Sequence, residues 1–161
     1  MAKKKAKKTQ KLYSLLALVL GIVAFCMMFL DAVTIPTQLS ELLGATPFFK
    51  GHEAVFGLTK DTILGEVVIL NFNIVALVAF LLPVTGGVIA YLFKNKLFSL
   101  VAILCFVVGA IAMFAFPSIF VMGLEREVEA ELVELCAGPI LAGICSAIGA
   151  ISVCARSYLA K

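Results

Sequence analysis

The residues best suited to chemistry sit in a few places. Glu125, Glu127, Glu129, Glu131 and Glu134 crowd one short stretch, and Cys136, Cys145 and Cys154 follow at intervals of nine. A calcium loop needs a glycine turn and fixed ligand spacing, which the glutamates lack. They are expected to form a solvated acidic face. Nine residues turn a helix by about half a revolution, so neighbouring cysteines face opposite ways and cannot share a metal. Cys26, Cys105, Cys145 and Cys154 lie inside apolar segments, with Cys136 at the edge of one, which suits small buried hydrophobes better than a disulfide framework. His52 is the only histidine, so no Ser-His-Asp or Cys-His set can be assembled from several. No phosphate-binding GxxxxGK[ST] loop or HExxH pair occurs. The sequence therefore predicts no catalytic, metal or cofactor site. Asn71 and Asn73 lie near the start of the apolar run Val67–Phe93, either as hydrogen-bond partners of Asp31 or as marks of where a helix leaves the lipid.

The elements that would position these residues are apolar. Of 161 residues, 63% are hydrophobic and only 14% charged, with a mean hydropathy of +1.13. A soluble domain is nearer half apolar and a quarter charged, and a chain this small cannot hide the surplus in a water-excluded core. Charge-free runs at Leu12–Leu30, Val67–Phe93, Leu97–Leu124 and Leu135–Ala155 mark four spans. The first, about 19 residues, gives ~28 Å of helix against a hydrocarbon core of about 30 Å. Allowing for flanking turns, the spans are expected over about 12–33, 67–93, 97–123 and 132–158. Residues 1–11 form a basic tail, and 34–66 form the long connection. The first run is too long for a cleaved signal peptide and reads as a retained anchor.

Charge fixes the expected orientation. Lys3, Lys4, Lys5, Lys7, Lys8 and Lys11 precede the first span, Lys94 and Lys96 flank the second connection, and Arg156 and Lys161 end the chain. All ten acidic residues fall on the other side, with only Lys50, Lys60 and Arg126 among them. Positive charge favours the cytoplasm, so both termini are expected there, with 34–66 and 125–134 outside a cell membrane crossed several times. Tyr13, Tyr91 and Tyr158 agree, each at the inner end of a span, where an apolar ring with a polar hydroxyl settles. The lysine run next to a span reads as a topology signal attracted to anionic membrane lipids, and no nucleic-acid partner is expected.

The outer connections differ in character. Pro47 to Thr59 mixes aromatic and β-branched residues with glycines, a composition that suits short strands. Phe48, Phe49, His52, Val55 and Phe56 form the candidate outer interaction surface, whether packed as a small β-like cap or presented to a partner. Leu124, Val128 and Leu132 recur every four residues, predicting an amphipathic extension of the fourth helix that Gly138-Pro139 then kinks. Gly138, Ala142, Ser146 and Ala150 form a small-residue stripe on that helix, the candidate packing face. It would close the bundle or join a homo-oligomer. No ionisable residue is expected near the midplane, which disfavours a coupled transporter.

The short–long–short connections, termini on one side and β-tending segment feeding the second span resemble the claudin and peripheral-myelin-protein-22 group. The lysine-rich start, the phrase Gly51-His52-Glu53-Ala54-Val55-Phe56-Gly57 and the Gly/Ala-rich last span also resemble small four-span proteins of Gram-positive bacteria and their wall-less relatives. The resemblance implies an all-α integral membrane protein, a four-transmembrane-helix bundle with a small β-like extracellular segment between helices 1 and 2. The chain departs from claudins in having no Trp and no cysteine between Asp31 and Glu66, so claudin barrier function does not follow. The functional expectation is a non-enzymatic tetraspan protein acting through its outer segments on a membrane-protein partner or a second copy. The alternative is an oligomeric pore, and a lipid-handling or enzymatic site near Asp31 and Asn71 is the third reading.

Overall fold

The computed structural model describes residues 2–43, 46–62, 65–124 and 129–158. Its elements run in order as α1 (Ala2–Cys26), β1 (Asp31–Thr34), α2 (Thr37–Leu43), β2 (Phe48–Lys50), α3 (Gly51–Phe56), β3 (Leu58–Thr62) and β4 (Gly65–Leu70). Then come α4 (Ile74–Leu92), α5 (Lys96–Phe114), α6 (Phe116–Val121), β5 (Glu134–Leu135) and α7 (Ala137–Tyr158). Four helical segments, Thr9–Phe29, Ile74–Leu92, Lys96–Phe114 and Ala137–Tyr158, are long and apolar enough to cross a membrane. The first includes the 3-10 turn Met27–Phe29 that closes α1.

Their burial pattern is the reverse of a soluble bundle's. Leu15, Val19 and Ile22 of α1, Leu100, Leu104 and Ile111 of α5, and Ile144, Ile148 and Ile151 of α7 are exposed, while Ser14, Ser99, Ser146 and Ser152 are buried. An apolar belt on every helix far exceeds the patch a soluble monomer shows. It is the surface expected against hydrocarbon. Helices in lipid associate through close packing of small residues rather than through the hydrophobic effect.

Helix α1 packs against α4 and α7, and α5 packs against the same two. The helices thus form a ring in chain order, with α1 and α5 at opposite corners. Glycine sets the approach at two joints. A Cβ on Gly21 would sit 2.5 Å from the carbonyl oxygen of Pro83, so α1 and α4 touch backbone to backbone. A Cβ on Gly149 would fall 2.5 Å from the Phe106 ring, which fills the space between α5 and α7.

All four spans differ from the sequence expectation at a boundary, and the first ends at Phe29 rather than near residue 33 because Asp31–Thr34 form strand β1. Residues 65–70, inside the second charge-free run, form strand β4, and α4 starts only at Ile74. Val67, Val68 and Ile69 are β-branched and favour strand. The helix start is fixed by buried Asn73, whose Oδ1 accepts from the amides of Val75 and Ala76 at 3.0 and 3.1 Å. Its Nδ2 donates to Ile119 O at 2.6 Å, and the amide of Asn71 donates to Gly123 O at 2.8 Å. Of the two roles expected for the asparagines, Asn73 takes the one at the helix boundary, and none of the described bonds joins either to Asp31. At the third span, α5 stops at Phe114 because Pro117 opens the short helix α6; proline fits a first helical turn but not an interior.

The fourth boundary is a correction. No amphipathic helix projects ahead of α7 over 129–136: Ala130–Leu132 is a 3-10 turn and Glu134–Leu135 is strand β5. Val128, part of the expected helical stripe, lies outside the described residues. Pro139 sits in the first turn of α7, where its missing N–H has no partner to lose. It starts the helix rather than kinking it.

The strands form a cap over one end of the ring. β1 is central, pairing antiparallel with β2 (Val33 with Phe49, Thr34 with Phe48) and with β5 (Val33 with Leu135, Thr34 with Glu134). β3 and β4 make a separate antiparallel hairpin. The cap shares its core with the bundle: Phe49 meets Phe120 at 5.3 Å and Phe80 meets Phe116 at 5.4 Å between ring centroids. One buried cluster runs from Met28, Val33, Phe49 and Val55 to Phe80, Met113 and Phe116. A second, around Ala17, Ala90, Phe106 and Val153, fills the opposite half.

Candidate functional site: a basic pocket floored by Arg156

The sequence-selected surface residues divide in the structure. Phe48 and Phe56 are 54% and 61% exposed, whereas Phe49 and Val55 are fully buried in the cap core. Alternation along β2 explains the contrast between Phe48 and Phe49, since neighbours in a strand face opposite ways, whereas Phe56 ends helix α3. His52 is half-buried beside the ring of Phe29, 5.8 Å between centroids, and its Nδ1 is buried without a hydrogen-bond partner. Of the five residues selected from the sequence, Phe48 and Phe56 are exposed and His52 is half-buried. Beneath Phe48, a cavity of about 430 Å³ lies between Ile35, Pro36, Pro47, Leu132 and Glu134.

The small-residue stripe is consumed within the monomer. Gly138, Ala142, Ser146 and Ala150 are all buried, and Gly138 abuts the carbonyl oxygens of Met27 and Asp31. The Ser146 hydroxyl donates to Ala142 O at 2.8 Å, so its polarity is satisfied within α7. Glu129, Glu131 and Glu134 are exposed, while Glu125 and Glu127 lie outside the described residues.

A cluster of polar side chains lies at the other end of the bundle. Arg156, two residues from the end of α7, is 5% exposed. Its guanidinium donates to Ser99 Oγ of α5 at 2.5 Å, to Ser14 Oγ of α1 at 3.1 Å and to the carbonyl oxygen of Ala90 in α4. One side chain thus joins all four spanning helices. The two serine hydroxyls donate in turn to their own helices, to Gln10 O at 3.1 Å and Asn95 O at 3.0 Å, leaving their lone pairs for the arginine.

Arg156 floors a cavity of about 510 Å³ whose walls include Lys11, Ser14, Tyr91, Leu92, Lys94, Lys96, Ser99 and Ser157. Among the described residues, no acidic side chain lines it. The three lysines are exposed around it. The Ser157 hydroxyl is buried and lacks a hydrogen-bond partner.

Sequence reasoning treated Arg156 as one more charge at the end of the chain. One signal marks it as different: Tyr158, a residue of headgroup depth, lies beyond it, so Arg156 belongs to the last helical turn inside the span. No protein-family model matches the chain, and neither a curated protein nor a solved structure is significantly similar to it.

Proposed function

We propose that this chain is a non-enzymatic multi-pass membrane protein of claudin-like layout. Its termini lie in the cytoplasm, its cap lies outside, and it organises the membrane by holding a membrane-protein partner or a second copy through that cap. The observation that carries the reading is the cap itself. Strand β5 of the second outer connection pairs with β1 of the first, and the cap core is continuous with the bundle. Phe48 and Phe56 are nevertheless left on the surface. A rigid platform that presents large apolar side chains suits recognition, because little ordering is needed on contact.

The orientation rests on charge asymmetry, with every acidic residue on the cap side of the chain. A pore through one copy draws no support, since Phe80, Phe106, Met113 and Phe116 are fully buried along the bundle's interior; conduction would have to run between copies. Blue-native electrophoresis and crosslinking in mild detergent test the proposal. A stable oligomer or a co-purifying membrane protein is expected. A strictly monomeric protein with no partner would contradict it.

A further inference from the structure

We propose that the Arg156 cavity is a binding site for a phosphate group, most simply the headgroup phosphate of an anionic phospholipid. The case starts from charge. The acceptors around Arg156 are two hydroxyls and a carbonyl, which satisfy hydrogen bonds but leave the positive charge uncompensated. Among the described residues no carboxylate pairs with it, and the ten acidic residues all belong to the other side of the chain. A buried charge is costly without a counter-ion, so the arrangement calls for an anion from outside the protein.

The donors identify which anion. One cavity is lined by Arg156, by Lys11, Lys94 and Lys96, and by Ser157, whose hydroxyl is buried without a partner. Tetrahedral phosphate, with several strong acceptor oxygens, matches such a mixed set; arginine and lysine are its usual partners. Position favours a lipid as the source. Lys94 lies in the connection between two spans and Lys96 opens α5. Ser14 lies five residues beyond Thr9, where the first apolar segment begins, or ~7.5 Å deeper at about 1.5 Å per residue. The cavity therefore stretches from the membrane surface into headgroup depth, and the 61% exposed side chain of Leu92 at its edge offers a contact for an acyl chain.

Native mass spectrometry of the full chain in detergent, with equimolar dioleoylphosphatidylglycerol and dioleoylphosphatidylcholine, tests this. The anionic lipid should be retained in preference to the zwitterionic one. The double variant Lys94→Gln/Lys96→Gln changes only exposed residues and should keep the wild-type melting temperature. It should lose anionic-lipid retention by about fivefold for each lysine removed. A parallel titration with inorganic phosphate separates the sources. Phosphate that displaces the lipid and raises the melting temperature in lipid-free micelles supports the site with a soluble phosphate compound as its ligand. Equal retention of the two lipids with no phosphate effect, or unchanged binding by the double variant, would overturn the proposal.

Discussion

The guanidinium of Arg156 lies 2.5 Å from the hydroxyl of Ser99, joining the fourth span to the third where the bundle meets its lysine-rich end. The same group reaches Ser14 and Ala90, so this cross-link closes the ring opposite the cap. At one end the ring is held by strands and a shared aromatic core, at the other by one charged side chain.

Replacing Arg156 by Ala should lower stability in detergent by about 2 kcal/mol, since hydrogen bonds from a charged donor contribute roughly 1.5–3 kcal/mol. The loss is limited because Ser14 and Ser99 keep partners on their own helices. Arg156→Lys should recover only part, because an ammonium cannot present the planar fork that reaches three helices. Thermal unfolding followed by circular dichroism checks the order wild type, Lys, Ala; an unchanged midpoint for Ala would refute the cross-link.

Gly149→Leu should destabilise by roughly 1–3 kcal/mol, the usual cost of overpacking, because the added side chain enters the space of the Phe106 ring. Combining it with Phe106→Ala should restore part of the loss. Melting midpoints of the two single variants and the double variant measure the coupling, and strict additivity would mean that the two positions do not touch.

Asn73→Ala should cost more than Asn71→Ala. It removes the helix cap, worth about 1 kcal/mol, and leaves Ile119 O without its buried donor. Asn71 is exposed, and its recorded bond comes from its backbone amide, which alanine keeps. Paired denaturation curves would show the difference.

Cys136 provides a pH-dependent probe of the cap. Burial pushes its thiol above the ordinary range, and the carboxylates of Asp31 and then Glu134 push it further the same way. The neutral thiol is thus favoured, and the reactive thiolate forms only at higher pH. Labelling by a membrane-impermeant maleimide should be slow at neutral pH, with its inflection above that of a free cysteine. Asp31→Asn should move the inflection down by less than the burial effect, the largest cause. A profile matching free cysteine would contradict the packing of Cys136 beside β1.

Much of this architecture is readable in the sequence, and the rest fails for identifiable reasons. The spans are legible because each carries its own lipid-facing leucines, isoleucines and valines. The stretch 65–70 is not, because hydropathy treats an apolar strand and a membrane helix alike. Pro117 and Pro139 stand in helical patterns, and only the surrounding fold shows that each opens a helix. The cap surface is half legible: strand alternation separates Phe48 from Phe49 once β2 is placed, and that placement depends on pairing with β1, 14 to 19 residues away along the chain. Arg156 was legible as a charge but not as a site, because its partners Ser14, Ala90 and Ser99 are distributed over three other helices.

The most direct test of the central claim is photocrosslinking from the cap in intact cells, with benzoylphenylalanine at Phe48 and, as a control, at buried Phe49. The account predicts a discrete higher-mass adduct from position 48, containing a membrane protein or a second copy, and none from position 49. No adduct from position 48 in membranes that hold the folded protein would contradict it.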